Sequence, residues 1–317
     1  MKVNTSSMFF EYCSKDIYLV RSPSSSYLKS SIAVGILNVI FGVVGTFLNT
    51  LVLLVFLKTK NIRRKTSYFP IMILSATDVI VVTSVPAMFL VNSIPEILGT
   101  PRCVYNICFI IVSRTTPLLS ASSLIIMNIE RYLAIVHPIF HRTTVTKGKI
   151  IFNLIIIVSI FFICAAIHLT WRSIGRFIYS VGAFIICSTT LFQYVSIFCI
   201  ARKALFRRVT KVSDVKATSN YRLSLRELKM AKIYFFTVFF CFLCYLPIAI
   251  INGVWQHLFA NIETRNTLFH CILWLTPLIS MNASLNCLIF FWGNRELRKQ
   301  GWKLVRNYFR KTLNQFR

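Results

Sequence analysis

Apolar residues fall into seven long runs along the chain, each bounded by clusters of charge. The runs cover 33–57, 68–92, 105–136, 149–169, 177–201, 230–255 and 267–291. About 20 mostly apolar residues cross a bilayer as one helix, so each run predicts a spanning helix. The third is long because its far end is polar. The fifth is broken by Ser188, Thr189, Thr190 and Gln193. After Phe291 the pattern changes. Leu297, Trp302, Leu304, Val305, Tyr308 and Phe309 alternate with Arg295, Arg298, Lys299, Lys303, Arg306 and Arg310. That is a basic amphipathic helix suited to a membrane surface. The pattern therefore predicts an all-α membrane protein. A seven-transmembrane helix bundle over 31–291 follows an outer tail over 1–30. A cytoplasmic segment over 292–317 holds a short amphipathic eighth helix. No internal repeat is visible.

Composition agrees with lipid as the surrounding solvent. The chain is 56% hydrophobic and 14% charged, whereas soluble domains carry roughly 25% charged residues. The net charge of +27 invites a nucleic-acid reading. Its distribution excludes one, because the basic residues lie between the apolar runs and not along one face. Of the 36 lysines and arginines, 27 fall in the segments on one side of the seven runs. By the positive-inside rule that side is cytoplasmic, so the N-terminus is extracellular. Residues 1–20 hold no apolar core of signal-peptide length, so the first helix is expected to direct insertion. Asn4-Thr5-Ser6 is a glycosylation sequon on the outer side. Six of the ten cysteines lie inside apolar runs as small packers. Cys13, Cys103, Cys108 and Cys271 fall towards the outer side, where one disulfide among them is expected.

Polar side chains at bilayer depth are costly, so each is a functional candidate. Asp78 is the one acid counted deep in a run, with Asn49, Ser120, Asn282 and Asn286 at comparable depth. A carboxylate ringed by hydroxyl and amide oxygens suits a small cation or a polar switch. The same groups can also simply join helix to helix. Glu130-Arg131-Tyr132 ends the third run, and Glu227 precedes the sixth at the same level. An arginine held by two acids is an ion pair that can be broken and remade.

With these residues in view, the chain resembles a rhodopsin-like (class A) G-protein-coupled receptor over roughly residues 30–312. Gly45-Thr46-Phe47-Leu48-Asn49 is similar to the first-helix asparagine motif, and Leu74-Ser75-Ala76-Thr77-Asp78 to the second-helix LAxxD pattern. Glu130-Arg131-Tyr132 matches E/DRY, and Cys244-Tyr245-Leu246-Pro247 matches CWxP with Tyr for Trp. Asn286-Cys287-Leu288-Ile289-Phe290 matches NPxxY with both Pro and Tyr replaced. The resemblance implies a plasma-membrane receptor, not an enzyme, that couples an extracellular ligand to a heterotrimeric G protein by movement of the sixth helix. It implies that Arg131 and Glu227 form an ionic lock, with Tyr132 beside them for G-protein coupling. Tyr245, Pro247, Asn286 and Phe290 are the implied activation switch. Asp78, Asn49, Ser120, Asn282 and Asn286 are the implied sodium pocket, with no other cofactor.

Departures from the family pattern narrow the ligand. The position that carries an aspartate in amine receptors is Ser113, and the retinal lysine position is Ser280. Neither a biogenic amine nor retinal is therefore expected. The fifth helix lacks the usual proline, and the short outer loop 170–176 holds no cysteine. Both features resemble melanocortin-like receptors. Arg114 lies in the outer half of its span, as a counter-charge for an anionic group or as a snorkelling side chain. Ser113, Arg114, Tyr245, Trp255, His270 and Trp274 form the candidate ligand pocket, for a small acid, a lipid or a peptide. The alternatives are a seven-helix transporter or channel, or a receptor homologue that does not signal. A channel needs a continuous polar path, whereas Ile125 and Ile126 separate the central polar cluster from the inner one. The five histidines divide between the two faces and make no metal set.

Overall fold

The computed structural model describes residues 9–14, 17–209, 236, 239–251 and 262–315. A two-stranded antiparallel hairpin opens it, with β1 at Phe9–Ser14 and β2 at Ile17–Ser22. The helices are α1 (Ser25–Lys58), α2 (Lys60–Arg64), α3 (Phe69–Ile97), α4 (Cys103–Val136) and α5 (Pro138–Thr144). Then come α6 (Lys147–Thr170), α7 (Arg172–Val209), α8 (Phe239–Ile251), α9 (Ile262–Gly293) and α10 (Arg295–Gln315). Among the described residues six helices, namely α1, α3, α4, α6, α7 and α9, are long and apolar enough to span a membrane. With the shorter apolar α8 they make a seven-helix bundle.

Most helices outrun their apolar runs. α1 begins at Ser25, where the Ser24 hydroxyl accepts a hydrogen bond from the Tyr27 amide at 3.2 Å and caps the first turn. α3 continues to Ile97, past the run's end at 92, and carries Asn92, Ser93 and Glu96 into the bundle. The hairpin lies within the tail expected over 1–30. It is not visible in the sequence, since its alternation spans only a few residues of mixed polarity. It is joined to the bundle by Val20, buried against Tyr27, Val34, Phe89 and Leu273.

The well-packed half of the bundle is α1, α3, α4 and α9. Close approach of α1 depends on glycine. A Cβ on Gly45 would lie 2.6 Å from Val82 Cγ1, closer than carbon atoms tolerate. Hydrogen bonds stitch α9 to α1, with the Ser284 hydroxyl donating to Phe41 O at 3.0 Å and Ser280 to Asn38 Oδ1 at 3.4 Å. α6 is peripheral. Its buried residues are Ile150 and His168 alone, as suits a helix whose remaining faces meet lipid.

α10 follows α9 after a single residue. Asn294 Oδ1 accepts from the Glu296 and Leu297 amides at 3.1 and 3.3 Å and so caps it. Leu297 is 1% exposed, in one core with Val55, Phe290 and Cys287, while Trp302 and Tyr308 are exposed.

Candidate functional site

Polar residues of α3, α4, α6 and α7 line a cavity of about 160 Å³. That is far beyond the ~15 Å³ needed for one water. Two walls contribute opposite chemistry. On one, Glu96 of α3 is buried, and its carboxylate accepts from Asn92 Nδ2 at 3.2 Å and from the Tyr27 hydroxyl at 3.5 Å. These are one helical turn and one neighbouring helix away respectively. On the other wall are Arg114 of α4, His168 of α6 and Arg176 of α7. Arg114 Nη1 lies 3.1 Å from His168 Nε2. Gly175 makes this possible at the turn from α6 into α7: a Cβ there would stand 2.6 Å from the His168 backbone. The tight approach delivers His168 and Arg176 to one place.

A smaller space of about 40 Å³ lies against Ser113, Arg114 and Tyr245. The Tyr245 hydroxyl donates to Pro117 O at 3.3 Å and accepts from Asn282 Nδ2 at 3.4 Å. One buried group thus joins α8 to both α4 and α9. Deeper still is Asp78, fully buried, whose carboxylate accepts from the Ser120 hydroxyl and, at 3.4 Å, from Asn286 Nδ2. Among the described residues no basic side chain pairs with it. Asn49 is turned elsewhere, its Nδ2 donating to Gly45 O at 3.0 Å and Ala283 O at 3.3 Å. The side-chain oxygens of Asn49 and Asn282 are buried without a donor. A carboxylate, a hydroxyl and two spare amide oxygens are donors of the kind that hard cations take. The residues therefore fit a sodium ion in chemistry, although Asn49 and Asn282 do not bond to Asp78 itself.

At the far end Glu130 is 2% exposed and held from two sides. Arg131 Nε lies 3.4 Å from its Oε2, and His141 Nε2 2.8 Å from its Oε1. Arg131 Nη2 also donates to Ser67 O at 2.5 Å, tying α4 to the turn before α3. Tyr132 stacks edge-on against His137 at 6.5 Å. Phe290 is buried with Cys287, in the same core as α10.

The expected pocket divides. Ser113 and Arg114 line the larger cavity, and Tyr245 the smaller. His270 does not line the larger cavity but stacks at 5.4 Å against Tyr27, which does. Trp274 is 46% exposed and lines neither space. Glu227, Trp255 and Asn4 lie outside the described residues. Cys103 is disulfide-bonded, whereas Cys108 and Cys271 are free. Sequence reasoning missed Glu96, Asn92, Tyr27 and Arg176 in the cavity, and His141 at the far end. Glu96 had a readable signal, an acid within a turn and a half of an apolar run.

A bundle with six helices long and apolar enough to cross a bilayer among the described residues, and with polar cavities between them, defines a polytopic helical membrane protein. The profile of the 7 transmembrane receptor (rhodopsin family) matches residues 48–290, and the chain belongs to that family. Its members are receptors rather than enzymes, so the fold is rhodopsin-like and the family's role is signalling. No curated protein matches the chain.

Proposed function

We propose that the protein is a G-protein-coupled receptor, set in the plasma membrane with its N-terminus extracellular and its tail cytoplasmic. Its ligand enters the larger cavity, and a heterotrimeric G protein docks at the end that bears Arg131. The charge asymmetry of the loops supports the orientation. In that orientation basic α10 lies against anionic lipid.

The observation that carries the reading is the seat of Tyr245. It lines the smaller space together with Ser113 and Arg114, which also line the larger cavity, and bonds to both α4 and α9, two residues before Pro247. A ligand that displaces Tyr245 loosens α8 from both neighbours at a point where proline removes a backbone donor. α8 can then swing, and Arg131, freed from Glu130 and Ser67, faces the G protein. The polar set of Asp78, Ser120, Asn282 and Asn286 lies on the same route. A sodium ion bound there supplies the positive charge that a buried carboxylate calls for, and Asn49 and Asn282 have oxygens to offer it.

Nucleotide exchange on a panel of purified G proteins, with the receptor in nanodiscs, tests the proposal. Exchange that is lost in Arg131→Ala supports it. No exchange with any G protein, from a receptor that melts cooperatively, overturns it.

A further inference from the structure

A polar space of about 300 Å³ lies where the end of α1 meets α10. Lys58, Thr59, Lys60 and Asn61 line it from the junction of α1 and α2, and Lys303 and Asn307 from α10. Among the described residues no acid lines it, and none of the three lysines is ion-paired. Packing holds the two walls together. Leu297 is 1% exposed, in one core with Val55. One turn on, glycine leaves room for a ring: a Cβ on Gly301 would lie 2.6 Å from Phe291. α10 is thus seated against α9 and α1, and Lys303 and Asn307, four residues apart, share the face that meets the junction. We infer that this space takes the headgroup of a multiply phosphorylated inositol lipid from the cytoplasmic leaflet. From the proposed function the inference takes only the orientation of the chain.

Three ammonium groups around one space repel each other, and an anion that enters offsets all three at once. The charge selects phosphate monoesters, each of which carries about −1.5 to −2 and three acceptor oxygens. A phosphatidylserine headgroup, with one net negative charge, leaves most of the repulsion in place. Thr59, Asn61 and Asn307 add neutral groups suited to the hydroxyls of an inositol ring. Location selects a lipid over a soluble phosphate. Lys58 is the last residue of a spanning helix, so the space opens at the depth where headgroups lie. Trp302 and Tyr308, exposed on α10, are side chains of the kind that settle at that depth. A basic site there also gains from the negative potential of the inner leaflet. The lysines come from two distant stretches of chain, so this is a built seat and not the diffuse attraction of any basic helix.

The test is binding of short-chain lipids to the full-length receptor in neutral detergent, read by native mass spectrometry and melting curves. The probes are phosphatidylinositol bisphosphate, unphosphorylated phosphatidylinositol, phosphatidylserine and the free inositol phosphate headgroup. The bisphosphate is expected to bind at least about tenfold more tightly than each of the others. Lys58→Gln, Lys60→Gln and Lys303→Gln in one chain should weaken it at least tenfold, since each basic residue at an anionic headgroup counts for about fivefold. Arg295→Gln, Lys299→Gln and Arg310→Gln together remove the same charge from α10 outside the space, and should cost far less. Both variants are first checked for cooperative melting, and Lys303→Gln alone, with a loss of about fivefold, replaces the triple variant if that does not fold. Equal losses in the two variants reduce the site to diffuse surface charge and overturn the inference. So does phosphatidylserine or phosphatidylinositol that binds as well as the bisphosphate, or a series with no binder. A free headgroup that binds as tightly as the lipid overturns the lipid source. Binding in detergent does not depend on orientation or on a G protein. Binding without nucleotide exchange therefore supports the site and counts against the signalling reading alone.

Discussion

His141 approaches Glu130 to 2.8 Å from the opposite side to Arg131, although it lies eleven residues further along the chain on a separate helix. The short α5 that carries His141 is therefore clamped to the end of α4. The acid next to Arg131 is held by α4 and α5 together. Under the proposed function, release of Arg131 from Glu130 would involve α5 as well as α4.

Weakening this clamp should free Arg131. His141→Phe keeps the ring and removes the nitrogen that meets Glu130, and Glu130→Gln removes the ion pair altogether. Both are expected to raise ligand-independent nucleotide exchange, Glu130→Gln the more strongly. Contacts of this kind are worth about 1–3 kcal/mol when a buried charge is involved, so severalfold increases are within range. Basal exchange measured at equal receptor density checks this, and unchanged rates in both variants remove the clamp from the mechanism.

Tyr245→Phe deletes two hydrogen bonds and little volume. Each net hydrogen bond contributes about 1 kcal/mol, and Pro117 O and Asn282 are left with less to bond to. A melting temperature lower by several degrees is expected, together with higher basal exchange. Because Asn282 is a partner of Tyr245, Asn282→Ala should add little on top of it. A double-mutant cycle on melting tests the point, and additive losses show the two residues to be independent.

The spans were legible because lipid imposes the same demand everywhere: about 20 apolar residues with all backbone groups bonded within the segment. The motif residues Asp78, Glu130 and Arg131 could be read because charge at that depth has few innocent explanations. Glu96 and His141 were missed. α3 runs five residues beyond its apolar stretch, and helix length is set by backbone bonding and not by hydropathy. His141 is brought to Glu130 by the break between α4 and α5 at His137, a tertiary contact that no spacing rule announces. Trp274, read as a pocket aromatic, is instead 46% exposed, since a helix gives its aromatics to lipid as readily as to a cavity.

Gly45→Ala should destabilise the bundle by about 1–3 kcal/mol through overpacking, because the added carbon meets Val82 and Ser284 at once. Trimming the neighbour should relieve it. Val82→Ala in the same chain is expected to recover part of the lost melting temperature, although Val82→Ala alone lowers it. If the double variant is as unstable as the sum of the singles, the close approach of α1 and α3 is not what the glycine serves.

Peptide mapping under non-reducing conditions should find Cys103 in a disulfide, with Cys108 and Cys271 open to alkylation after unfolding. A crosslink at the start of α4 restrains the wall that carries Arg114. Reduction should therefore lower the melting temperature more than Cys271→Ser does, which breaks no bond. Equal melting before and after reduction, with the crosslink verified as lost, shows that it does not contribute to stability.

Asp78 offers the most direct measurement, because it needs no ligand. Its carboxylate has only hydroxyl and amide donors among the described residues, and an ion that binds the folded state stabilises it by mass action. Sodium chloride should raise the melting temperature of the purified receptor above its value in equimolar choline chloride. At tenfold excess over the dissociation constant the gain is about 1.4 kcal/mol, or a few degrees for a bundle of this size. Asp78→Asn keeps the shape and the Ser120 contact but not the charge, and should abolish the difference between the two salts. Asn282→Leu should shrink it, since one spare oxygen is lost while the carboxylate stays. A difference that survives in Asp78→Asn locates the sodium effect elsewhere, and choline that stabilises as well as sodium leaves the central cluster with a packing role only.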